Sequence, residues 1–340
     1  MMIWLKRTFT LLILILIAIA LILAYAMNSY TESPIDEAWE LSATPSASDS
    51  VMVRYTGTAT LLFSDGETQF ITDGWFSRPN GLQLAAGTIT PDMEAIDYGI
   101  EQNAIDKLAA VFVMHSHFDH SMDAPEVAKR TNALLLGSES TANIGRGWGL
   151  DENQIRVVKN REAITLGKFV LTPIESKHFQ FPDPEMRKRA LGDPSISSPL
   201  QTPAKAFDYK LGKAYMLHVS HPKGSWLIVG SAGFIKDDLQ GINADTVFLG
   251  IGGIGSQTTQ YREQFWRETI GHVKPSRIIP IHYDSLTAPI DGPMHGPSLA
   301  EFFLSGGIEE TLVFLKQKEV NSVTYRFHTL PRFTPITLYP

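Results

Sequence analysis

The chain has 340 residues, 44% of them hydrophobic, no cysteine and a formal net charge of −7. That length supports one large core or two small ones. The acidic balance without a basic stripe argues against a nucleic-acid partner. The lack of cysteine excludes a disulfide scaffold, a thiolate metal site and a thiol nucleophile.

The first predicted element is an almost unbroken apolar run from Thr8 to Met27, preceded by Lys6 and Arg7. Roughly 20 apolar residues span a bilayer, so residues 1–27 read as an N-terminal membrane anchor. The positive-inside rule leaves the N-terminus in the cytoplasm and the rest on the extracytoplasmic, periplasmic side. Ala24-Tyr25-Ala26 offers an A-x-A site, so a cleaved signal peptide is the rival reading. Both export the domain. Residues 28–50, rich in Ser, Thr, Pro and acids, read as a linker partly docked through Trp39, and the folded domain is expected over 51–340.

Asp65-Gly66 lies between two strand-like runs and predicts a hairpin. The second run ends in Thr72-Asp73-Gly74, where Asp73 is either a metal ligand's support or a loop cap. Thr90 followed by Pro91 predicts a helix start. Next comes Val111-Phe112-Val113-Met114, a buried-strand run, leading into His115-Ser116-His117-Phe118-Asp119-His120. Three imidazoles and a carboxylate within six residues, just past a strand end, form a ligand set that zinc or iron accepts. His115 and His117, two apart, point the same way in extended chain. Asp123, a turn further on, could orient a ligand histidine or cap the helix predicted from Pro125 to Thr131.

A second apolar strand, Phe169 to Ile174, is followed by His178. The long proline-rich stretch Phe179 to Ala206, with the basic run Arg187-Lys188-Arg189, predicts a lid over a binding pocket. A hairpin is expected around Pro222-Lys223-Gly224, then a turn, Gly230-Ser231-Ala232-Gly233. Asp245 precedes the next strand, and Gln260 to Gly271 is read as a helix. Arg277 to Ile281 is a last buried strand that ends in His282. Ser298 to Leu304 is read as helix, and Leu312 to Leu315 and Val323 to Phe327 as closing strands.

The H-x-H-x-D-H motif after a buried strand, His178 after a later one and Pro280-Ile281-His282-Tyr283 resemble the metallo-β-lactamase-fold hydrolases. With Ile71-Thr72-Asp73-Gly74, they are most similar to the branch of N-acyl-phosphatidylethanolamine phospholipase D and the ascorbate-phosphate lactonase. The resemblance covers Val51 to about His282. It implies an α/β fold, a four-layer αββα sandwich, following the one N-terminal transmembrane helix. It places His115, His117 and His178 at a first metal site and Asp119, His120 and His282 at a second. The family's bridging aspartate is replaced by Ser231, which leaves one or two ions open. Asp237 and Asp238 fall too far along to replace it.

Three histidines and a water complete a catalytic zinc site. Asp119, His120 and His282 form a two-His-one-carboxylate set that suits iron or a weaker zinc site. The expected cofactor is zinc, with iron or manganese also compatible. Water on such a metal reaches a pKa of about 7, and Asp119 is the candidate catalytic residue to orient it or take its proton. The expected activity is hydrolysis of an ester, lactone, amide or phosphodiester in a small-molecule or lipid-like substrate, by a metal-bound hydroxide. The alternative is a catalytically impaired metal-binding or sensing module on the membrane.

Overall fold

The computed structural model describes residues 2–33, 35–43, 49–301, 308–320 and 324–340. A single helix, Met2–Asn28, precedes everything else. The first sheet is built from β1 (Val51–Gly57), β2 (Thr60–Ser64), β3 (Gln69–Thr72), β4 (Leu108–Phe112), β5 (Leu134–Gly137), β6 (Ile155–Val157) and, from the far end of the chain, β14 (Ile336–Tyr339). The second takes β7 (Ile164–Leu166), β8 (Phe169–Ser176), β9 (Ala214–His221), β10 (Gly224–Val229), β11 (Thr246–Gly250), β12 (Arg277–Ile281) and β13 (Arg326–Phe327). Their orders are β14-β1-β2-β3-β4-β5-β6 and β13-β12-β11-β10-β9-β8-β7.

Each sheet is antiparallel in one half and parallel in the other. The meander β1–β2–β3 is antiparallel and β3 to β6 run parallel. In the second sheet β7 to β10 are antiparallel and β10 to β13 parallel. The β2–β3 turn forms as the sequence predicts: the Asp65 carboxylate accepts from the Glu67 and Thr68 amides, while Gly66 takes a φ of +83°. The β9–β10 hairpin also matches expectation.

The two sheets close on one apolar layer. Phe63 of the first stacks on Trp226 of the second at 5.0 Å and meets Phe248 edge-on at 5.4 Å. Such pairs contribute about 0.5–1.5 kcal/mol beyond their area. A second cluster, with Ile71, Ile96, Val111 and Val127, fills the outer face of the first sheet under the helices Met93–Gln102 and Ala124–Thr131. On the outside of the other sheet, Thr259–Trp266 runs on into a π-turn to Gly271.

Two local expectations change, and two more are described only in part. The helix predicted from Thr90 begins at Met93, because the Asp92 carboxylate accepts from the Glu94 and Ala95 amides and so caps it. Leu312 to Leu315 is not a strand but part of the helix Ile308–Val320; a short apolar run reads the same in either state. Val323 and residues 302–304 lie outside the described residues, so of these two calls only the strand Arg326–Phe327 and a helical turn at 299–301 are described.

The linker, finally, is docked over most of its described length. Thr31, Leu41 and Trp39 make backbone hydrogen bonds to Pro297 and Thr329, and Trp39 stacks on Phe327 at 4.8 Å. Its residues 34 and 44–48 lie outside the described set.

Candidate metal centre

The site forms where strands from both sheets end. Asp73 follows β3, His115 to His120 follow β4, His178 follows β8, Ser231 follows β10 and His282 follows β12. Ends of parallel strands leave backbone groups and side chains facing one crevice. The motif does not continue as strand: His115 to His117 form a short loop and Phe118–Ser121 a helical turn, which brings Asp119 and His120 back over the loop.

Two groups of ligand-type atoms result, each with its members within 4.8 Å of one another: His115, His117 and His178, and Asp119, His120 and His282. In the first, His115 Nε2 lies 3.1 Å from His117 Nδ1. In the second, His120 Nε2 lies 3.2 Å from His282 Nε2, and Asp119 Oδ2 is 3.4 and 3.3 Å from those two nitrogens. The six residues brought together are the six expected from the sequence.

Three of the five rings, His117, His120 and His178, are held from behind. His120 Nδ1 donates to Asp73 Oδ2 at 2.7 Å, and Asp73 Oδ1 accepts from the Met114 amide at 2.8 Å. Asp73 has a φ of +59° and is fully buried, so this turn sets the carboxylate against His120. His178 Nδ1 donates to the Phe179 carbonyl at 2.8 Å, and His117 Nε2 to the Ala190 carbonyl at 3.2 Å. With the outer nitrogen carrying the proton, the inner one of a neutral ring presents a lone pair. Lone pairs and a carboxylate converging at these distances suit a cation among them, so the residues fit a metal.

The electrostatics favour the ligating forms of Asp119 and of three rings, His115, His117 and His178. Burial, with the neighbouring rings, holds His115 and His178 well below the ordinary histidine pKa, and burial lowers His117 as well. Burial would also depress His120, but Asp73 and Asp119 outweigh it and raise that ring. Burial alone would raise Asp119, yet His120 and His282 prevail and hold it below the usual carboxylate range, so it is ionised.

Of the supporting positions, Asp73 serves the ligand histidine. Asp123 does neither of the things its spacing predicts. It makes no cap hydrogen bond. Its two oxygens instead accept from the Phe76 and Ser77 amides and the Ser77 hydroxyl, at 2.6–2.8 Å, which fixes the loop after Asp73. Burial pushes its carboxyl up to about 6. Ser231 lines the same cavity as the histidines, and its hydroxyl is buried without a hydrogen-bond partner. The turn lies tight against the strand carrying His178: a Cβ on Gly233 would sit 1.7 Å from the Lys177 carbonyl oxygen. Asp237 pairs with His272, while Asp245 binds Ser225.

What holds His282 leaves no mark in its own motif. Its amide donates to the Thr58 carbonyl at 2.7 Å, and the Asp284 carboxylate accepts from the Thr58 amide at 2.6 Å. The Ala190 carbonyl behind His117 is likewise a backbone group of the lid, invisible to motif reading.

Above the two groups is a cavity of about 480 Å³. The proline-rich stretch forms one wall, with Phe179, Phe181, Met186 and Arg189, and carries a helix, Pro184–Leu191.

No family model matches the chain. A UPF0173 metal-dependent hydrolase of Polynucleobacter asymbioticus is 25% identical over 227 residues, which cover 64% of this chain and 70% of the relative. A novel metallo hydrolase from the archaeon Ignicoccus hospitalis superposes with a TM-score of 0.52 at 17% identity, over 86% of this chain and 99% of that one. The metallo-β-lactamase-fold protein YhfI of Bacillus subtilis gives a TM-score of 0.48 at 12% identity, over 85% and 100%. The architecture is a mixed α/β, two-sheet fold of metallo-β-lactamase type, and proteins similar to the chain are named metal-dependent hydrolases.

Proposed function

We propose that the chain is a metal-dependent hydrolase that cleaves an ester, lactone, amide or phosphodiester bond. The observation that carries it is the convergence of five ring nitrogens and one carboxylate at the floor of a pocket. His115, His117 and His178 would hold one ion, and Asp119, His120 and His282 a second. The ligand set suits zinc, with iron or manganese as alternatives. A metal there supplies Lewis acidity and a nucleophilic water near neutral pH.

The chain's own groups do the rest. Asp73 and the Phe179 and Ala190 carbonyls fix the tautomers, so that lone pairs point inward. Asp119 is ionised and can accept a proton at Oδ2. Ser231, neutral where the resemblance expects a bridging carboxylate, makes the second ion the more weakly held. The turn at Asp73 and the Pro280-Ile281-His282-Tyr283 motif support a place beside the phospholipase D and lactonase branch. The alternative of an impaired sensing module draws only on Ser231.

We further propose that the N-terminal helix is a retained anchor with the catalytic domain on the extracytoplasmic side. The support is the stretch Lys6–Asn28, 23 residues exposed along its length except where Ala26 and Met27 are part-buried, and the basic pair at its start. The test of the activity is turnover of chromogenic esters and phosphodiesters by the metal-loaded full chain and by Asp119→Asn. Loss of about 10²–10⁴-fold in kcat is expected for the variant. Equal rates would remove Asp119 from the reaction.

A further inference from the structure

We infer that the pocket opens onto the membrane surface beside the end of the N-terminal helix and takes its substrate, an amphiphile with an apolar chain, directly from the lipid. The inference rests on the hydrolase reading for the reacting end of that substrate, and on the helix being a retained span.

Met27, in the last turn of the helix, is part of the cavity wall that also includes His115, His117 and His178. The stretch Lys6–Asn28 has 23 residues, roughly 34 Å of helix at 1.5 Å per residue, against a hydrocarbon core roughly 30 Å thick. With Lys6 at one face of the bilayer, Met27 falls at the other, within the head-group layer. The wall it belongs to falls there too.

The chain leaving the helix does not separate the domain from the membrane. Thr31 donates to the Pro297 carbonyl, Gly296 to Thr31 and Leu299 to Ser29, at 3.0–3.2 Å. The Tyr30 hydroxyl donates to the Thr287 carbonyl, and its ring stacks on His295. On the other side, the helix Gly81–Ala86 closes on Met27: a Cβ on Gly81 would sit 3.0 Å from Met27 Cγ.

Three segments that wall the cavity also turn aliphatic side chains outward. Leu82 is 65% exposed, Leu299 43% and Val313 56%, each next to residues lining the pocket. Single exposed aliphatics are ordinary on a soluble surface. Three on separate segments that wall one cavity, which Met27 at the end of the N-terminal helix also walls, are the side chains an interfacial surface would offer to lipid. Inside, Met27, Ile35, Leu84, Phe181, Leu312 and Leu315 line an apolar path. Arg189, held over the Phe207 ring at 4.0 Å, is the basic side chain among the described residues of this wall, and it favours an anionic head group.

The absence of cysteine allows single labels on the full chain. Leu82→Cys and Leu299→Cys, with Val157→Cys on the strand β6 as control, are labelled with bimane and reconstituted in vesicles containing brominated phosphatidylcholine. Quenching is expected at 82 and 299 and not at 157. In the same vesicles, the ratio of kcat/KM for nitrophenyl dodecanoate over nitrophenyl acetate should fall about tenfold or more in Met27→Lys, which places a charge in the apolar wall. No quenching at either position, or an unchanged ratio, overturns the inference. If the wild-type chain cleaves neither ester, the hydrolase reading is what fails, and the quenching pattern still decides whether the mouth meets lipid.

Discussion

His120 shows how little of a metal ligand is visible in its own side chain. Its inner nitrogen is free to take the proposed metal because Asp73 holds the other one at 2.7 Å. Removing such a support costs about 10–100-fold in metal affinity, so Asp73→Ala should weaken metal binding by that factor in a chelator competition while the fold persists by circular dichroism. Unchanged affinity would make Asp73 a loop residue only. The burial of the other rings makes a separate prediction for the metal-free chain. His115, His117 and His178 have lowered pKa values in the fold, so below the ordinary histidine pKa of about 6.5 the unfolded chain binds more protons. His120, raised, works the other way. His221 and His328, also lowered by burial, add to the three, while the buried carboxyls Asp73 and Asp123, raised, act with His120; five against three, the stability of the metal-free protein should fall as pH drops from about 7 to 5.5. A urea midpoint that stays level or rises over that window would contradict the burial argument. The His-x-His-x-Asp-His cluster and both isolated histidines were legible because spacing at strand ends carries their geometry. Asp123 was misread because its partners, the Phe76 and Ser77 amides, lie 47 and 46 residues away in sequence.

At the scale of elements, the lid is tied to the site it covers. The Ala190 carbonyl, at the end of the helix Pro184–Leu191, accepts from His117, while Phe179 and Phe181 pack on His178, with ring centroids at 4.4 and 5.5 Å. Replacing residues 184–191 with a short glycine–serine loop should therefore alter preference for substrate size and also loosen the metal at His117 several-fold, as loss of an outer-nitrogen partner does. A change in neither kcat/KM ranking nor metal affinity would show that the segment only covers the surface. Strands were readable wherever an apolar run ended in a polar turn, as at β4 and β12. The helix Ile308–Val320 was not, because its run Leu312-Val313-Phe314-Leu315 is too short for either period to show.

For the whole molecule, the main departure from the sequence reading is the linker. Composition describes how a segment behaves when free, and nothing in Ser29 to Leu41 announces hydrogen bonds to residues near 297 and 329. Those bonds tie the chain that leaves the N-terminal helix to the domain. Mass analysis of the protein extracted from membranes should find the chain uncleaved at Ala26. A mature protein beginning at Met27 would replace the anchor with a signal peptide. The two-sheet architecture itself followed from resemblance rather than from periodicity, since a pairing such as that of β1 with β14, Val51 against Tyr339, leaves no local mark. The account stands most directly on the metal. Full-length protein, purified, dialysed and measured by elemental analysis, should retain about one to two transition-metal ions per chain. Removal by chelator should abolish hydrolysis, and His178→Ala should hold fewer ions than the wild type. Protein that binds no metal in competition with a weak chelator, or that hydrolyses its substrate equally well after stripping, would contradict it.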